Sequence, residues 1–106
     1  MTTKRAKFRI GQLINNNRFN YRGVIVDVDP VFSGSEEWYQ QLAVNVQAKN
    51  QPWYHILVDQ AYYTTYVAES YLDATLNHTP IDHPMINQHF SRFDNGIYIK
   101  ERKQQN

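Results

Sequence analysis

The clearest alternation of apolar and polar residues runs from Tyr21 to Asp29 (YRGVIVDVD). Val24, Val26 and Val28 fall on one face at a period of two, and Ile25, Asp27 and Asp29 on the other. This predicts a strand that Pro30 ends, with Gly23 marking a bulge or a close backbone approach near its start. A second alternation, Trp53 to Asp59 (WYHILVD), sets Tyr54, Ile56 and Val58 against Trp53, His55 and Leu57. Asp59-Gln60-Ala61 then reads as a hairpin loop into a strand over Tyr62 to Ala68. Phe8 to Ile14 is strand-like with Gly11 at a bend, and Asn15, Asn16 and Asn17 form a turn cluster. Asparagine suits that position because it tolerates left-handed backbone and bonds its own main chain. Between the two strong alternations, Ser33 to Gln41 reads as a short helix or turn, Ser33 and Glu36 having the spacing of a capping box. Leu42 to Val46 reads as a further strand, with a turn at Asn50-Gln51-Pro52.

The last third changes period. Asn77 to Pro84 is loop, broken by Pro80 and Pro84. Ile86, Phe90 and Phe93 then lie at i, i+4 and i+7, one face of a short helix between Pro84 and Phe93 with Asp82 placed as its N-cap. Asp94-Asn95-Gly96 is a turn, followed by a strand over Ile97 to Lys100. Short strands about 10–15 residues apart indicate a mainly β fold, a small barrel or sandwich. At 106 residues the chain suits one domain. Its expected limits are 8–100, between a flexible basic arm at 1–7 and a polar tail at 101–106.

Composition narrows the chemistry. There is no cysteine, which excludes disulfides, cysteine-based zinc sites and thiol catalysis. No apolar run approaches the roughly 18 residues of a membrane span, and the N-terminus lacks the apolar core of a secretory signal. The expected address is the cytoplasm, with no membrane partner. The formal charge of +1 conceals a layout. Lys4, Arg5, Lys7, Arg9, Arg18 and Arg22 stand in the first 22 residues without an acid. Residues 23–99 hold nine acids against Lys49 and Arg92, and the tail is basic again. An acidic body with basic ends limits any polyanion to a small footprint.

Several blocks occur in an order that resembles a known family. They are Tyr21-Arg22-Gly23-Val24-Ile25 leading to Asp29-Pro30, Ser35-Glu36-Glu37-Trp38, Gln51-Pro52-Trp53-Tyr54-His55-Ile56-Leu57-Val58, and Tyr66-Val67-Ala68-Glu69. Together they resemble the hemimethylated-DNA-binding, or YccV-like, domain family. His83-Pro84-Met85-Ile86, Phe90, Phe93 and Tyr98 resemble its longer members. The resemblance implies an SH3-like β-barrel of about five strands, with a short helix after strand two and a short C-terminal helix. It also implies a non-enzymatic bacterial protein whose partner is hemimethylated DNA. In the heat-shock (HspQ-like) branch it implies a link to stress response and regulated proteolysis, with protease or client proteins as partners. The region from Thr75 to Asn106 departs from that branch. Homo-oligomerisation stays open.

For DNA, Arg18 and Arg22 are the candidate phosphate contacts, and Lys4, Arg5, Lys7 and Arg9 add nonspecific attraction. Tyr21, Tyr54 and His55 are candidates for contact with bases and sugars at the same surface. Tyr54 and His55 lie on opposite strand faces, so at most one faces the interior, and His55 also suits a hydrogen-bonded structural role. Trp38 and Trp53 either anchor a protein partner or fill a small core. The spacing of His78, His83 and His89 does not build a metal site, and no cofactor is implied. Asp27 and Asp29 form a like-charge pair that could share a proton or hold a cation, or serve as plain turn and strand residues. Without a nucleophile, a His–carboxylate motif or a glycine-rich phosphate loop, nothing indicates an enzyme.

Overall fold

The computed structural model describes residues 5–37 and 50–101. Its longest strand is β2 (Tyr21–Asp29), which pairs antiparallel with β1 (Leu13–Asn16) on one side and β3 (Trp53–Val58) on the other. Beyond β3 lies β4 (Thr64–Ala68), and a 3-10 turn (Glu69–Tyr71) leads to β5 (Leu72–Ala74), which returns to the free edge of β1. The sheet order is therefore β4-β3-β2-β1-β5. No ladder joins β4 to β5 among the described residues, so hydrogen bonding leaves the expected barrel unclosed. A short helix, α1 (Ile86–His89), precedes a separate hairpin of β6 (Arg92–Asp94) and β7 (Ile97–Ile99). The fold is mainly β.

The strict alternation expected of β2 is broken. Partners run Gly23↔Val58, Val24↔Leu57 and Ile25↔Ile56, then jump to Asp27↔His55, leaving Val26 as an extra residue. A bulge inverts the phase of the pleat beyond it. Val28 therefore joins Ile25 in the cluster around Ile14, Tyr54, Ile56, Val67 and Leu72. Asp27 and Asp29 pass to the opposite face, shared with Val24, Leu57 and His55. On that second face the C-terminal segment packs Ile81, Phe90 and Tyr98 against Leu13, Val24 and Leu57. Further along, Trp53 and Ala68 pack with Phe32 and Tyr66.

Two glycines admit close approaches. Gly11 turns at φ +93°, and a Cβ there would strike the Tyr98 carbonyl of β7. Gly23 would place a Cβ 2.5 Å from Ile56 Cγ2 and 2.6 Å from the Leu57 carbonyl, as the close approach expected there requires.

Other boundaries move for local reasons. Asn16, expected in a turn, ends β1 fully buried, and its Oδ1 accepts the amides of Arg18 and Phe19 to close the β1–β2 turn. β4 begins at Thr64 rather than Tyr62, after a turn with Gln60 at φ 59°. Asp82 does not cap the helix: its amide donates to Asp59 Oδ1 and its carbonyl accepts from Gln60, so α1 starts at Ile86, and Phe93 enters β6. Helical backbone begins at Glu36 after β2. Trp38, the remainder of the helix or turn expected over Ser33 to Gln41 and the strand expected over Leu42 to Val46 lie outside the described residues, as does Lys4.

Candidate nucleic-acid interface

The predicted contact residues separate into inward and outward groups. Arg22 faces inward. Its side chain is 13% exposed and donates to Asp59 Oδ2 at 3.1 Å. The same guanidinium donates to the Asn77 carbonyl at 3.2 Å, the Pro80 carbonyl at 3.0 Å and the Thr79 carbonyl. A planar fork with five donors is suited to gathering several acceptors at once, and here it fixes the loop from Asn77 to Pro80 against β2. Its charge is matched by Asp59, and its two terminal nitrogens make four hydrogen bonds.

Tyr54 is fully buried. Its hydroxyl donates to Glu69 Oε2 at 2.6 Å and accepts from the Phe8 amide at 3.3 Å. The same Glu69 oxygen accepts the Lys7 amide at 2.8 Å. Tyr54 and Glu69 thus pin the start of the described N-terminal segment, and Phe8 adds an edge-on ring contact at 5.8 Å. Burial, then the bond to Glu69, push the Tyr54 phenol above its ordinary range. Tyr21 is half-buried, shares a 2.6 Å hydrogen bond with Thr65, and is also pushed up by burial. His55 is half-buried on the Asp27 face, with Nε2 3.2 Å from Asp29 Oδ2. Trp53 is a core residue at 3% exposure, its ring 5.0 Å from Phe32 and 5.3 Å from Tyr66.

Lys7 and Arg9 face outward. They line a cleft of about 550 Å³ between the N-terminal segment, the end of β5 and the β6–β7 turn. His78 is the cleft's third ionisable side chain, Gln12, Thr75 and Asn95 supply neutral polar groups, and none of its described lining residues is acidic. Arg18 is exposed on the β1–β2 turn, its guanidinium 5.6 Å from the centre of the Tyr71 ring. Arg5 is exposed on the segment leading to the cleft.

Sequence reasoning missed His78 in this role, because only the tertiary fold brings the loop after β5 beside Lys7. It also missed Tyr62 and Tyr63, which are 82% and 52% exposed at the β3–β4 tip. A polar–aromatic run at a hairpin turn was the available signal. Phe19, 70% exposed, projects from the β1–β2 turn at the same end of the sheet. His83 is buried beneath that tip, with Nε2 3.0 Å from the Tyr63 carbonyl and Nδ1 accepting the Met85 amide. This bond pattern assigns the neutral Nε2–H tautomer.

No helix among the described residues is long and apolar enough to cross a membrane. The family model described as hemimethylated DNA-binding protein YccV like matches residues 6–97. That span takes in β1 to β6, the cleft residues Lys7, Arg9 and His78, and the first residue of β7. The chain belongs to this family of DNA-binding domains.

Proposed function

We propose that this chain is a non-enzymatic DNA-binding module of the cytoplasm whose target is hemimethylated DNA. The observation that carries the reading is the acid-free cleft shared by Lys7, Arg9 and His78. Phosphate binding draws on several cationic groups on one surface, and an otherwise acidic body makes an acid-free place informative. Arg18 stands exposed on the turn at the far end of β1 from the cleft. Phe19 beside it offers a ring to sugars or bases. Lys4 and Arg5 add attraction from the basic arm. The return of β5 to β1 after a 3-10 turn supports reading the open sheet as an SH3-like barrel.

Titrating the protein with a labelled hemimethylated duplex over a range of salt tests this. Log affinity should fall linearly with log salt, and Lys7→Ala and Arg9→Ala should each lower the slope by about 1. No binding at low salt, or a slope that neither substitution changes, would overturn the reading. Competition by fully methylated and unmethylated duplexes of the same sequence measures the methylation preference.

A second reading, a protein-interaction module serving stress response or a protease in the manner of the HspQ-like branch, is favoured by one observation. Tyr62, Tyr63 and Leu76 are strongly exposed, and tyrosine is enriched at protein interfaces. Capture of a defined protein partner that Tyr62→Ala abolishes, by a protein indifferent to DNA, would favour this reading over the first.

A further inference from the structure

The bulge at Val26 brings together side chains that a regular strand would keep apart. Asp27 lies directly across the ladder from His55, and Asp29 shares their face on the stretch of β2 that extends past β1. One ligand atom from each of the three lies within 4.8 Å of the others. His55 Nε2 and Asp29 Oδ2 stand 3.2 Å apart, the length of a polyhedron edge when metal–ligand bonds are about 2.0–2.2 Å. Solvent reaches all three: Asp27 is exposed, and the side chains of His55 and Asp29 are 41% and 25% accessible. Among the described residues no lysine or arginine pairs with either carboxylate. Had β2 lacked its extra residue, Asp27 would point to the Ile25 face and the three would not meet.

We propose that Asp27, Asp29 and His55 form a divalent transition-metal site whose cation is zinc. Two carboxylate oxygens and one imidazole nitrogen suit zinc, whereas calcium and magnesium take oxygen ligands throughout. Three protein ligands leave a fourth position for solvent or a ligand. The neighbouring tyrosine supplies the supporting shell. Tyr66 donates its hydroxyl to Asp29 Oδ2 at 2.7 Å and sets its ring 4.4 Å from that of His55, which holds both ligands in orientation. On binding, the cation replaces the direct His55–Asp29 contact, and the Tyr66 hydrogen bond persists.

The test is calorimetric titration of the chelator-treated full chain with zinc chloride, with the histidine ring resonances followed in parallel. One zinc per chain is expected, perturbing the His55 ring among the four histidines. Asp27→Asn and His55→Gln should each weaken binding by about tenfold or more, and His89→Ala should leave it unchanged. Asp27 is exposed, so its variant keeps the fold and decides the matter if the His55 variant does not. Absence of saturable one-to-one binding, affinity indifferent to Asp27→Asn, or binding that follows His78 or His89 would overturn the site. None of these readouts involves DNA, so they stand or fall apart from the proposed function.

Discussion

At the scale of single residues, the two most constrained phenols each face a carboxylate. Tyr54 is pushed above the ordinary phenol range by burial and then by Glu69, Tyr66 by burial and then by Asp29. A phenol whose folded pKa exceeds its unfolded value of about 10 holds its proton more tightly in the folded chain. Its contribution to stability is complete below about pH 10 and is lost as pH rises through the folded value. Thermal stability should therefore drop steeply above about pH 10, and Tyr54→Phe, which cannot ionise, should flatten part of that drop. At neutral pH the same substitution should cost about 1–3 kcal/mol, because it leaves Glu69 buried with one donor fewer. Melting curves from neutral to alkaline pH check both arms. Identical alkaline profiles for wild type and Tyr54→Phe would refute the assignment.

At the scale of elements, Gly23 shows how tightly β2 and β3 meet. Gly23→Ala drives a methyl against Ile56 and the Leu57 carbonyl, neither of which is the loose end of a flexible side chain. The expected loss is about 1–3 kcal/mol, read from the midpoint of denaturant unfolding. A variant as stable as wild type would show that the strands can separate there. β2 was legible in type and limits because its alternation is long, and β3 in type and start, with Asp59 falling just past its end at Val58. The phase within β2 was not, since a bulge is decided by the register with β3 rather than by residues in β2 alone. β5 was illegible for a related reason: Leu-Asp-Ala carries no pattern, and β1's open edge makes it a strand. The C-terminal helix was overread because Asp82, a good cap by type, is recruited by Asp59 instead.

At the scale of the whole molecule, position along the chain exposed the basic ends but not which cations are spent internally. Arg22 stands in the first recognisable block, yet Asp59 and three loop carbonyls take its fork. Lys7 and Arg9 lie ahead of β1, which starts at Leu13 and not at Phe8 as its strand-like pattern predicts, and Tyr54 and Glu69 anchor the backbone beside them from the core. The two groups should separate by experiment. Arg22→Ala leaves Asp59 without its partner and should cost about 3 kcal/mol in urea unfolding. Arg22→Lys should recover only part of this, since an ammonium cannot reproduce the fork. Neither should change the salt slope of DNA binding by the folded protein. Lys7→Ala and Arg9→Ala should do the reverse, lowering the slope with little loss of stability, because exposed side chains away from the core contribute little to folding. An Arg22→Lys protein of wild-type stability that binds with a slope reduced by about 1 would move Arg22 onto the DNA surface. The Asn77 to Pro80 loop would then need another anchor to β2.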